Sequence, residues 1–137
     1  MKLASYQDGS RDGQLVVVSR DLGSAHYATG IATRLQQVLD DWNFLSPQLE
    51  ELYASLNHGK PRHAFAFDPR LCAAPLPRAY QRFSSRVGPT GIAMQQAASD
   101  DLLGPRDPIA LPDAATGLGL RSEPGLAAVT GDLGADR

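Results

Sequence analysis

The apolar positions fall into short blocks whose spacing changes along the chain. Lys2 to Tyr6 and Gln14 to Ser19 read as two strands, and the stretch between them carries two Asp-Gly steps. Asp and Gly tolerate the positive φ angles that tight turns require, so a hairpin is predicted. Leu15, Val16, Val17 and Val18 are continuously apolar, which predicts a strand covered on both faces. Ile31, Leu35, Val38, Leu39 and Trp42 recur at helical spacing and predict a helix from about Gly30 to Trp42. A second helix is predicted from Ser46 as its cap and Pro47 as its first residue. Glu50 and Glu51 lie near its positive end, Leu49, Leu52, Tyr53 and Leu56 supply its apolar face, and Gly59 ends it. His63 to Phe67 alternates as a strand does, and Leu71 to Leu76 reads as a short extended piece.

The pattern fades after about Tyr80. Residues 83 to 101 show no sustained helix or strand period, and residues 104 to 137 are rich in Gly and Pro. Weak order is expected there unless something covers it. Leu126 to Thr130 is the exception: it reads as a strand closed by Gly131-Asp132. The predicted fold class is α+β. A small sheet of about four strands carries two packed helices, and a partly ordered, Gly/Pro-rich and partly β tail follows.

Composition narrows the function classes. Lys plus Arg is 13 and Asp plus Glu is 15, a formal net charge of -2. That near balance lacks the basic excess of a nucleic-acid or anionic-membrane footprint, so neither partner is expected. The first residues lack the apolar run of a signal peptide, and no run is long enough to span a bilayer. The one cysteine, Cys72, cannot form an internal disulfide. A cytoplasmic protein is the expectation.

Local motifs for chemistry are sparse. His58 and His63 flank Gly59 and Pro61, so no helix face aligns them, and His26 precedes the first predicted helix; all three read as structural or exposed. Cys72 has no His nearby and reads as a buried thiol. No Gly-x-Ser-x-Gly elbow occurs, and Gly117-Leu118-Gly119 lacks the third glycine of a dinucleotide loop. The acidic pairs Asp40-Asp41, Glu50-Glu51 and Asp100-Asp101 are adjacent, and adjacent side chains diverge, so solvated faces are expected. Trp42, Phe44, Phe65 and Phe67 read as core or interdomain packing. No catalytic residue is assigned.

Larger stretches carry a resemblance. KLASYQDGSRDGQLVVVSRD (2–21), ATGIATRLQQVLDDWNFLSPQLEELY (28–53) and FDPRLCAAPLPRAYQ (67–81) resemble the bacterial branch of the fumarylacetoacetate hydrolase family. SDDLLGPRDPIALPD (99–113) and GLGLRSEPGLAAVTGD (117–132) are similar more loosely. The resemblance implies an N-terminal domain over residues 1–80 and a shortened, altered start of the catalytic β-roll domain over 81–137. Family members cleave, decarboxylate or isomerise diketo and related acids. They use a Mg²⁺ or Ca²⁺ ion held by a Glu-x-Glu pair and a later aspartate, with a histidine that helps to activate water in the hydrolases.

This chain departs from that pattern. Glu123 matches the first metal ligand, but Gly125 stands where the second should be, and Pro124 lies between them. The segment between Gln81 and Ser99 is short and contains no His, and Arg137 comes before the third carboxylate. Cations of this kind need about six oxygen ligands, usually with several carboxylates. The resemblance therefore implies a truncated relative without catalytic activity alone, an interaction module or a decayed gene product, with Glu123 as a vestigial metal ligand. No cofactor is expected. Self-association or binding to a full-length homologue would cover the apolar surface that the β-roll covers in the family. The alternative is a metal-dependent diketo-acid hydrolase, using Mg²⁺ or Ca²⁺, whose site is completed by another chain.

Overall fold

Four antiparallel strands form the first sheet in the order β1-β2-β3-β4, with two helices following the third strand. The computed structural model describes residues 1–100, 102–111 and 124–130. The strands are β1 (Lys2–Tyr6), β2 (Gln14–Val18), β3 (Ser24–Tyr27) and β4 (Phe65–Ala66), and the helices are α1 (Leu35–Asp40) and α2 (Trp42–Asn57). The predicted hairpin forms, with Lys2 opposite Val18 and Tyr6 opposite Gln14. Gly13, at φ 63°, closes it: a Cβ there would lie 2.5 Å from the Tyr6 carbonyl oxygen, so only glycine fits without a backbone shift.

The continuous apolar run in β2 is explained by two separate packing layers. Leu15 and Val17 face the helices and join Ala28, Ala32, Val38, Leu49 and Leu56. Val16 and Val18 face the other way and join Tyr6, Ala25 and Cys72. That second face is closed by the chain after β4, which crosses from the β3 end to the outer edge of β1. Phe67 N donates to Gly23 O, a 3₁₀ turn follows at Pro69–Leu71, and Gln7 N then donates to Leu71 O. Ala73 N donates to Ser5 O, and Ser5 Oγ donates to Pro75 O at 2.6 Å. This strap satisfies the outer edge of β1, which would otherwise offer unpaired backbone groups.

Both helices differ from the sequence expectation at their starts. The first begins at Leu35, not near Gly30, because tertiary hydrogen bonds hold the preceding residues in turns. Leu15 N donates to Thr33 O at 2.8 Å, and Ile31 N and Ala32 N both donate to Ala28 O. Arg34 is extended, and the Gln37 side-chain oxygen reaches back to accept from the backbone amides of Thr33 and Arg34. The second helix begins at Trp42, so Ser46 is not its cap and Pro47 lies inside it. Asp41 O accepts from Phe44 N and Leu45 N, which starts the helix one turn early. Its end is as predicted, with Gly59 at φ 69° after the last turn.

Beyond Tyr80 the structure corrects the expectation of weak order. Strands β5 (Arg82–Gly88) and β6 (Gly91–Ala97) form a second, two-stranded antiparallel sheet. Small residues (Ser84, Ser85, Ala93) dilute its alternation, which is why the period is weak in the sequence. The expected strand at Leu126 to Thr130 is absent: residues 124–130 carry no regular structure, and Leu126 and Val129 are exposed. Pro124 and Gly125 disfavour a strand start there, and no described residue pairs with the segment. By internal contacts the chain forms one unit over Met1–Asp107 and another over Pro108–Arg137. Among the described residues no helix is long and apolar enough to cross a membrane.

Candidate functional site

The loop between β1 and β2 is held by side-chain hydrogen bonds and frames a cleft. Asp8 accepts from Ser10 N, while Arg34 Nη1 donates to both Ser10 Oγ and Gly13 O at 2.7 Å. Asp12, on the same loop, receives a two-pronged pair from Arg78: Nε to Oδ1 and Nη2 to Oδ2, both 2.6 Å. Beside Arg78, Ala79 N donates to Ser99 O at 2.7 Å and ties the strap to the chain leaving β6. Together these segments and the start of α1 enclose a cleft of about 650 Å³, whose polar lining includes Arg11, Asp12, Gln36, Arg78, Tyr80 and Asp100.

The electrostatics of this wall favour fixed charge over proton transfer. The Arg78 hydrogen bonds hold the Asp12 carboxyl below the usual carboxylate range, and Asp12 in turn raises Arg78. Asp12 therefore stays ionised at neutral pH and is not a general acid. Across the domain, Asp68 caps the 3₁₀ turn and binds Arg70, which lowers its pKa to about 2. Both folded-state values lie below the unfolded reference of about 3.9. Their stabilisation is thus complete above that reference and lost as pH falls through the folded values. In acid titrations followed by circular dichroism, Asp12→Asn and Asp68→Asn are expected to be less stable than wild type at neutral pH and to lose less on acidification.

The residues singled out from sequence are not brought together. His26 Nδ1 lies 2.7 Å from Tyr27 O, and His58 Nδ1 lies 2.6 Å from Ala54 O at the end of α2. His63 is exposed in a turn. Cys72 is buried beside Tyr6, Val16, Val18 and Ala25, and burial raises its thiol pKa, as an inert thiol requires. Of the acidic pairs, Asp40 accepts from Gln36 and Glu50 from the N-terminal ammonium, and Asp100 lines the cleft. Phe65 and Phe67 pack around Tyr6 as expected, whereas Trp42 and Phe44 are exposed. Glu123, the candidate metal ligand, and Asp101 lie outside the described residues. Among the described residues there is no group of three or more His, Cys, Asp or Glu that could hold a metal ion.

Sequence reasoning missed the pairing of Asp12 with Arg78, since nothing local to either residue signals it. The nearest clue was the Asp-Gly step that fixes the loop. No curated protein matches the chain. A family model described as fumarylacetoacetase N-terminal domain 2 matches residues 1–78, the segment that builds the first sheet, both helices and the strap. That match covers more than half of the sequence, and the chain belongs to this fumarylacetoacetase N-terminal domain family.

Proposed function

We propose that this protein is a fumarylacetoacetate-hydrolase-like interaction module without catalytic activity of its own. The observation that carries the reading is the exposed apolar face of the β5–β6 hairpin, which follows directly on the family domain. Apolar residues at successive positions of one strand face mark a surface meant for cover. The family domain itself is fully built. Every buried side-chain nitrogen or oxygen among its described residues has a hydrogen-bond partner, and both faces of β2 are filled. Its buried polar groups thus serve the scaffold. In this reading residues 81–137 are an altered start of the catalytic domain of the bacterial branch, Glu123 is a remnant of the metal-ligand pair, and the protein works in the cytoplasm.

The competing reading is a Mg²⁺- or Ca²⁺-dependent diketo-acid hydrolase whose site is completed by another chain. The cleft beside Arg11 favours it, because a guanidinium group suits an anionic substrate. Isothermal titration with each metal, followed by a diketo-acid hydrolysis assay, separates the two. The expected result is no saturable metal binding and no turnover. Saturable binding accompanied by metal-dependent turnover would overturn the non-catalytic reading.

A further inference from the structure

Four charged side chains line the cleft beside the β1–β2 loop: Arg11, Asp12, Arg78 and Asp100. Two of them cancel within its wall, because each oxygen of Asp12 accepts from Arg78 at 2.6 Å. The other two are free. Among the described residues the side chains of Arg11 and Asp100 make no hydrogen bond or ion pair, and both residues are exposed. Arg11 acts electrostatically on Asp12, and Asp100 acts on Arg78, so the engaged pair links one free positive charge to one free negative charge. The uncharged lining includes Leu35, Leu76 and Pro77, all half-buried, and Tyr80, which is 89% exposed. The cleft encloses about 650 Å³. That falls inside the range of small-molecule sites, about 300–1,000 Å³, which join apolar surface to a few placed polar groups.

We propose that this cleft binds a short peptide with both ends free, its C-terminal carboxylate on Arg11 and its N-terminal ammonium on Asp100. Charge sets the ligand class. A guanidinium receives a carboxylate through two parallel hydrogen bonds, and a free carboxylate receives an ammonium. An acid with two carboxylates satisfies Arg11 but meets Asp100 as a like charge, which costs binding. Length sets the number of residues. The ammonium and carboxylate of a single amino acid share one carbon, whereas the Asp12–Arg78 pair stands between the two free charges here. Each extended residue adds up to about 3.3–3.6 Å, so two or three residues match separated charges and one does not. Apolar side chains of the peptide cover Leu76, Pro77 and the Tyr80 ring, whose large exposed area gives a favourable burial term. The ligand thereby joins the β1–β2 loop, which carries Arg11, to the chain leaving β6, which carries Asp100. The site needs no metal and no catalytic group, so it goes beyond the interaction-module reading without depending on it.

Isothermal titration of the full chain with the tripeptide Leu-Ala-Leu, in buffer containing a chelator, tests the site. Saturable binding is expected without any divalent ion. Acetylating the peptide's N-terminus, or amidating its C-terminus, is expected to weaken binding about tenfold each, the scale of one hydrogen bond to a charged group. Two variants assign the ends. Arg11→Gln is expected to bind the free and amidated peptides equally, and Asp100→Asn to bind the free and acetylated peptides equally. Both substitutions fall on exposed side chains without partners among the described residues, so the fold is kept. Free leucine and a diketo dicarboxylic acid are each expected to bind more weakly than the tripeptide. The proposal is overturned by no saturable binding at millimolar peptide, or by capped peptides that bind as tightly as the free one. It is equally overturned if either variant still discriminates between the forms it should equate, or if leucine or the dicarboxylic acid binds as tightly as the tripeptide.

Discussion

Tyr6→Ala is expected to destabilise the family domain by about 3–5 kcal/mol, the range for truncating a large buried aromatic side chain. Tyr6 is nearly fully buried and sits at the centre of four rings. Its centroid is 5.8 Å from Phe65, 6.0 Å from Phe67 and 6.2 Å from Tyr27, while Tyr27 and Phe65 are 4.9 Å apart. The hydroxyl also accepts a hydrogen bond from the Asp68 backbone amide at 2.8 Å, and burial pushes the phenol pKa up. Truncation would therefore open a cavity beneath the strap and release the point where the strap crosses the sheet. Domains of this size are stable by only about 5–15 kcal/mol, so the loss is a large fraction of the total. Urea unfolding followed by circular dichroism measures it. Tyr6→Phe separates the two contributions: it keeps the ring and removes the acceptor, with an expected cost of about 1 kcal/mol. Near-equal losses for the two variants would mean that the hydrogen bond, not ring packing, holds the strap.

Leu15→Ala is expected to cost about 2–5 kcal/mol through the opposite face of the same sheet. Leu15 is fully buried against Val17, Ala28, Val38, Leu49 and Leu56. Its backbone is held as firmly as its side chain, since its amide donates to Thr33 O and its carbonyl accepts from Ala28 N at 3.1 Å. The rigid backbone limits how far the surroundings can collapse into the cavity, which places the expected cost in the upper part of the range. The same unfolding experiment reads it, with a lowered midpoint and an unchanged slope as the signature of lost packing. A change below about 0.5 kcal/mol, the scale of an ordinary surface substitution, would show that the two-layer core is not the source of stability.

These two residues also mark what was legible in the sequence. Leu15 belongs to an apolar run that announces a strand covered on both faces, and the structure supplies a cover for each face. Tyr6 closes a strand whose hairpin was readable from Asp-Gly steps, yet its ring cluster was not, because Phe65 and Phe67 arrive from distant chain. The first helix was placed correctly at Leu35, Val38 and Leu39 but too long, taking in Ile31, which lies in a turn, and Trp42, which starts the second helix; its early start fails because Leu15 N donates to Thr33 O, a long-range bond that competes with local helix formation. The β5–β6 hairpin was missed for a different reason. Ser84 and Ser85 side by side in β5, and Ala93 in β6, weaken the two-residue period on which the reading depends.

The sequence by itself determined the family domain, the α+β class, the hairpin that opens the chain, the central buried strand and the glycine that stops the second helix. Each is encoded in the spacing or conformational freedom of neighbouring residues, and such signals survive without knowledge of the fold. Only the tertiary structure decided that the strap seals the second face of the sheet, that Arg78 reaches Asp12 to wall a cleft, and that Arg11 and Asp100 line that same cleft. Those features depend on which distant segments meet, and that is fixed by packing of the whole domain, not by any local pattern.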